Sequence, residues 1–312
     1  MGKNIKSLDI NDFAESFGAN REELSLFCEE LIESLNFSYE ICSNEMQNAI
    51  SKDILNKCNN KAFSISGPHR RKDWAIGWGQ IYNEFISTGR DLRSLVPKDI
   101  RGDKPLRYKG KYITSNSRSF EYDFSLVFKT WLFRKYLIDY SNIYEFGCGT
   151  GHNLALLAQM FPDKNYSGAD WVDESQNILN ELSNTYDWRI KGHKFDLANP
   201  DYNLRLPPNT AAYTFAALEQ LGTDHKKFIN YLLAQKPGLC VHVECISEYY
   251  NESDPFDLVA LRYHKSRNYL EGLLTYLKDL EKCEKLQIIN TKRLGFGSVN
   301  HEIFSYIVWK PL

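Results

Sequence analysis

Residues 143–152 read Ile-Tyr-Glu-Phe-Gly-Cys-Gly-Thr-Gly-His, an apolar, strand-like run that breaks into three glycines at alternate positions. Glycines at this spacing let the backbone turn sharply and approach a ligand closely, and a helix that follows offers unpaired N–H groups at its N-terminus. From residue 142 onward the chain keeps alternating strand and helix signals. Strands are expected at Ile143–Phe146, Tyr166–Asp170, Trp188–Phe195, Ala211–Phe215, Leu239–Cys245, Leu286–Leu294 and Ile303–Trp309. Helices are expected at His152–Met160, Glu174–Asn184, Lys226–Gln235 and Phe256–Cys283. Strands separated by helical periods mean βαβ units wound right-handed into a mostly parallel sheet, an α/β Rossmann-like fold. Only a loop at 295–301 separates the last two strands, so they should pair as an antiparallel hairpin at the sheet edge.

That unit needs fewer than the 312 residues present. Residues 119–312 carry it, and residues 1–118 form an N-terminal appendage. Its first part reads as helices: Leu24, Phe27, Cys28, Leu31 and Leu35 recur at helical spacing, and a second pattern runs from Phe37 to Leu55. Residues 61–118 are glycine- and proline-punctuated but hold Trp74, Trp78, Tyr82 and Phe85, which implies that the segment packs on something rather than floating as a linker. A helical cap over the sheet is the expectation. The formal net charge of −2 conceals an uneven distribution. Residues 1–60 hold 5 Lys/Arg against 11 Asp/Glu, and residues 61–140 hold 16 against 8. A basic middle block beside acidic flanks hints at an anionic ligand.

Several classes are set aside by composition. The longest apolar runs fall far short of the roughly 20 residues of a membrane span. The seven cysteines are odd in number and contain no C-x-x-C pair, so neither a disulfide framework nor a metal site is indicated. With no secretory pattern at the start, the expectation is a cytoplasmic protein with reduced thiols. Basic residues form neither a dense run nor an aromatic-interleaved strand pair, so nucleic acid is not the expected partner. The oligomeric state is left open, and a homo-oligomer is compatible with the sequence.

Two cofactor classes use a strand, a glycine loop and a helix. Dinucleotide enzymes want G-x-G-x-x-G for a pyrophosphate. Here the spacing is G-x-G-x-G, with Glu145 two positions before Gly147. This resembles motif I of the class I S-adenosylmethionine-dependent methyltransferases, E/D-x-G-x-G-x-G, and the resemblance covers roughly residues 120–312. It implies a seven-stranded sheet, mostly parallel with the last strand antiparallel. It also implies that Glu145 holds the amino-acid end of S-adenosylmethionine above Gly147, Cys148, Gly149 and Gly151. Asp170, ending the second strand, matches the family's ribose-binding acid, with Trp171 beside the adenine, and Asp196 matches the acid that contacts the adenine amine. The alternatives are a NAD-binding oxidoreductase and an inactive binding protein that keeps the fold.

Methyl transfer asks chiefly for alignment and water exclusion, and for a base where the acceptor is a hydroxyl. The candidates are Glu244, which alternation places on the same strand face as His242, His264 early in the helix after the fifth strand, and Glu219 in the segment after the fourth. His301, in the hairpin loop, is a weaker one. The D/N-P-P-Y and Pro-Cys signatures of adenine, glutamine and cytosine methylation are missing, as is the acidic loop of arginine methyltransferases. A small-molecule or saccharide acceptor remains. The Trp74–Phe85 aromatics with Arg70, Arg71, Arg90 and Arg93 would suit a phosphorylated sugar, or serve as packing between cap and core. The C-terminal stretch loosely resembles sugar O-methyltransferases; N-methylation of an amine is the other option.

Overall fold

The computed structural model describes residues 5–312 apart from 101 and 103, so the first four residues of the expected appendage lie outside it. Its centre is a seven-stranded sheet of β1 (Asn142–Phe146), β2 (Asn165–Asp170), β3 (Ile190–Lys194), β4 (Thr210–Phe215), β5 (Leu239–Glu244), β6 (Leu286–Lys292) and β7 (Ser305–Pro311). The spatial order is β6-β7-β5-β4-β1-β2-β3. β1 to β5 run parallel, and β7 is antiparallel to both of its neighbours, β5 and β6. The last two strands thus pair as expected, with the chain's final strand inserted beside β5 and β6 left at the edge.

Both faces of the sheet are apolar because both are covered. In β7, Val308 points into the core that holds Phe124, Phe128 and Trp131, while Ile307 and Trp309 point into the core formed with Phe228, Leu232 and Leu277. The first core is supplied largely by the helix Phe120–Tyr136, whose buried positions encircle it. The second is supplied by Lys226–Gln235, Pro255–Arg267 and Leu273–Lys282. One long helix was expected across the last two. It is broken where Asn268 takes a left-handed conformation (φ 53) and Gly272 follows (φ 80), a turn that a continuous helix cannot contain.

The appendage is not purely helical. Besides helices Ile10–Phe17, Arg21–Ser34, Asn44–Asn59 and Arg71–Ser87, it contains short strands at Lys6–Ser7, Ser38–Ile41, Leu106–Tyr108 and Lys111–Ser115. They form a five-stranded sheet whose last member, Phe296–Gly297, comes from the loop between β6 and β7. Phe296 stacks on Phe124 with ring centroids 3.7 Å apart, which ties this small sheet to the main core.

A buried ion network locks the same junction. Arg293 donates from Nε to Glu302 at 2.7 Å and from Nη1 to Asp257 at 2.8 Å and to the Tyr249 carbonyl at 3.0 Å. Both carboxylates are almost wholly buried. Replacing Arg293 by methionine would strand two buried charges, at a cost of about 3–5 kcal/mol. The expected result is a Tm lower by roughly 5–10 °C in a thermal unfolding scan; an unchanged Tm would show that the network is dispensable.

Candidate active site

The glycine loop crosses the C-terminal end of β1, where ligands of open α/β sheets sit. Gly147 and Gly149 have φ of +77° and +51°. A Cβ on Gly147 would collide with Ala217, and one on Gly149 would sit 3.1 Å from the Trp78 ring. The loop is a cradle that only glycine can line. Gly151 (φ +69°) starts the helix His152–Met160.

On one side lies a cavity of about 370 Å3, bounded by Gly147, Gly149, Asp170, Trp171, Asp196 and Trp78 among others. Asp170 accepts the Gly149 and Val172 amides at 2.9 and 3.2 Å, and burial pushes its carboxyl up to about 6 against those bonds. Asp196 accepts the Ala198 amide at 2.9 Å and stands at the far rim.

A second cavity, of about 600 Å3, shares Trp74, Trp78, Gly147, Gly149 and Ala216 with the first. Ala216 is itself in a left-handed conformation (φ 51), the kind of strained residue that collects at ligand sites. Glu145 lines this second cavity, where its Oε1 accepts from Asn153 at 2.7 Å. Lys129, fully buried in the helix Phe120–Tyr136, reaches the same space, with Nζ 3.0 Å from His152 Nε2 and 4.8 Å from the Phe215 ring centroid. Burial pushes Glu145 up to about 8 and pulls Lys129 down to about 8. Sequence reading missed Lys129. Its signal was a lone lysine inside Phe-Ser-Leu-Val-Phe-Lys-Thr-Trp-Leu-Phe, a run whose surroundings forbid an idle charge.

The three expected catalytic residues are dispersed. Glu219 lines the larger cavity. Glu244 borders neither; it is fully buried, accepts the Ala217 amide at 3.1 Å, and holds the turn that carries Glu219. Burial pushes Glu244 up to about 7. His242, on the same face, bonds Thr214 Oγ1 at 3.0 Å and is pulled down to about 3 by burial, so it stays neutral. His264 is buried against His301, Nε2 to Nδ1 at 2.9 Å, and it is His301 that lines the cavity. Cys148 is buried, and burial raises its thiol well above the usual range, so it is no nucleophile.

The basic appendage roofs both cavities. Arg71 donates to the Trp171 carbonyl at 2.6 Å, Arg90 pairs with Glu181 at 2.6 Å, and Thr150 Oγ1 donates to the Leu95 carbonyl at 2.7 Å. These arginines fasten the cap, and Ile81 and Phe85 are buried in the main core beneath it. Arg93 pairs with Asp91 at the surface. Of the four arginines singled out from the sequence, Arg70 alone lines the larger cavity, over the Trp74 ring at 5.3 Å.

A Rossmann-like sheet with its last strand inserted antiparallel beside β5, and a glycine cradle with acids at the ends of β1 and β2, decides the architecture. The fold is that of the class I methyltransferases. No protein-family model and no curated protein matches the chain. Among solved structures it is similar to the small RNA methyltransferase HEN1, at 13% identity and TM-score 0.43, over 58% of this chain and 24% of that one. It is similar to the O-methyltransferase NcsB1 from neocarzinostatin biosynthesis, solved with S-adenosylmethionine and a naphthoic acid, at 13% identity and TM-score 0.39, over 62% of this chain and 58% of that one. An rRNA methylase from Escherichia coli matches over 97% of this chain and 100% of its own, at 12% identity and TM-score 0.44. The match thus spans less than two thirds of the first two.

The residues present fit S-adenosylmethionine. The glycine cradle, the buried Asp170 and the Glu145 carboxyl on the cavity wall suit a nucleoside joined to an amino acid. Among the described residues no helix is long and apolar enough to cross a membrane.

Proposed function

We propose that the chain transfers a methyl group from S-adenosylmethionine to a small polar acceptor, a hydroxyl of a nucleotide sugar or saccharide. The observation that carries this is the pair of cavities meeting at the glycine loop. One is shaped for a nucleoside beside Asp170, Trp171 and Asp196; the other runs from Glu145 and Lys129 into a space with aromatic and cationic walls. The bound cofactor supplies an activated methyl group on a sulfonium, whose departure needs no acid.

The chain's own residues do the rest. Glu145 would hold the cofactor's ammonium and Lys129 its carboxylate, both from the wall of the larger cavity. Trp74 and Trp78 close the roof and exclude water. Beyond them, Tyr263, Tyr269 and Phe304 offer ring faces, and Arg70, Lys104 and Arg267 offer charge to an anionic group on the acceptor. Glu219 is the carboxylate placed to take the acceptor's proton. Residues 1–118 supply the acceptor-recognition roof and residues 119–312 the methyl-transfer machinery. Seven free cysteines fit a reducing compartment, the cytoplasm.

The test is a methyl-transfer screen over nucleotide sugars, sugar acids and amines, read as the mass gain of one methylene. On the acceptor that turns over, Glu219→Gln should lower kcat by about 10²–10⁴-fold while leaving cofactor affinity unchanged. Equal turnover by the variant removes Glu219 from the role of base. Failure of every acceptor in the presence of bound cofactor removes the enzymatic reading.

A further inference from the structure

We propose that Cys245, His264 and His301 form a binding site for one divalent cation of the zinc class, with its fourth position directed at the acceptor cavity. The three residues come from separate elements: Cys245 directly follows β5, His264 lies in the helix Pro255–Arg267, and His301 sits in the loop before β7. Their ligating atoms nevertheless all lie within 4.8 Å of one another. All three are buried, at 0%, 4% and 4% exposure. No spacing motif announces them, because 19 and 37 residues separate successive members.

The geometry is close to what a tetrahedral ion requires. Zinc–nitrogen bonds of about 2.0–2.1 Å at a tetrahedral angle place two imidazole nitrogens roughly 3.3 Å apart. His264 Nε2 and His301 Nδ1 stand at 2.9 Å with one proton between them, so a ring shift of a few tenths of an ångström, with that proton moved to the other nitrogen of its ring, admits the ion. The Cys245 thiol makes only a long hydrogen bond, 3.8 Å to Glu219 Oε2, and gives up its proton when it ligates. Two imidazoles and a thiolate are a soft set that selects zinc, cobalt or copper over magnesium and calcium. Tyr250 and Tyr269 pack against His264 with centroids 5.4 and 5.9 Å away, an aromatic wall that shields the site from water.

Three protein ligands with an open fourth position is the arrangement of ions that act on substrates, whereas structural ions are closed by four. His301 and Glu219 both line the larger cavity, so the open side faces the space assigned to the acceptor. An oxygen bound there would be polarised, and a hydroxyl made easier to deprotonate. The ion site stands on these three side chains and does not depend on the methyl-transfer reading.

The full chain, stripped with a chelator, is titrated with cobalt(II) chloride and then zinc chloride. One cobalt per chain should bind with a thiolate-to-cobalt charge-transfer band in the near ultraviolet, and an equimolar amount of zinc should displace it. Cys245→Ser should abolish that band, and both Cys245→Ser and His301→Gln should weaken zinc at least about tenfold. Cys283→Ser, at an exposed thiol, should change neither. Absence of a stoichiometric band in the wild type, or its survival in Cys245→Ser, overturns the proposal. Should Cys245→Ser fail to fold, the wild-type band and the zinc affinity of His301→Gln decide. Methyl transfer is not the readout, so failure here leaves the proposed function to its own test.

Discussion

Gly149→Arg should weaken S-adenosylmethionine binding at least ~100-fold, about 2.8 kcal/mol, with the fold retained. Gly149 has φ +51°, a region in which an L side chain costs roughly 1–2 kcal/mol. The first added carbon would lie 3.1 Å from Trp78, and the guanidinium beyond it would fill the space where the two cavities meet. The loop's amide also anchors Asp170, so a displaced loop would move that carboxylate with it. Calorimetry with S-adenosylmethionine and, separately, NADH gives the measurement. Wild type should bind the first and not the second. Tight NADH binding alone would sink the cofactor assignment, and unaltered S-adenosylmethionine affinity in the variant would remove the glycine loop from the site.

The second large effect is a reversal of proton flow on cofactor binding between pH 7 and pH 9. Free Glu145 has its carboxyl raised to about 8 by burial, so at pH 7 most of it is protonated. Facing a bound ammonium it must ionise, and a proton leaves. Lys129, lowered to about 8 by burial, is charged at pH 7 and takes up nothing there. At pH 9 the positions exchange. Glu145 is already ionised, while Lys129 is mostly neutral and must gain a proton to face the carboxylate. The ligand's own amine, with an ordinary value near 7.7–8.0, also gains one. Binding enthalpies measured in phosphate and Tris buffers should therefore report release at pH 7 and uptake at pH 9. Glu145→Gln should remove the release and Lys129→Met most of the protein's share of the uptake. Each should weaken binding by about 10–100-fold through loss of a charged hydrogen bond. A wild type with no proton exchange at either pH would contradict the assignment of these two groups to the amino-acid end.

Legibility in the sequence followed how local each signal was. The central strands were readable because both faces of each are buried, which leaves short apolar runs bounded by turns, whereas β3 and β6 at the sheet edges are partly exposed; the glycine loop was readable because three glycines leave few other interpretations. The helix read across 256–283 splits at Asn268, since a left-handed asparagine resembles any other polar surface residue until its backbone angles are known. The small sheet was missed because its strands are two to five residues long and, apart from the hairpin of Leu106–Tyr108 with Lys111–Ser115, pair with partners far away in the chain. Phe296–Gly297 meets Arg107–Tyr108 across almost 190 positions. Arg71 and Arg90 were read either as contacts to a phosphorylated sugar or as part of the packing between cap and core; they fasten the cap, a role that depends on partners 100 and 91 residues away. The Cys245, His264 and His301 grouping has the same cause.

That distant pairing has a consequence for biogenesis. The roof over both cavities is made from residues before 119, yet its sheet is closed by residues 296–297, which are synthesised about 180 residues after the rest of it. The early segment therefore completes its sheet only after Phe296 and Gly297 have been made. A truncated product ending before residue 296 would have the glycine loop but an unfinished roof.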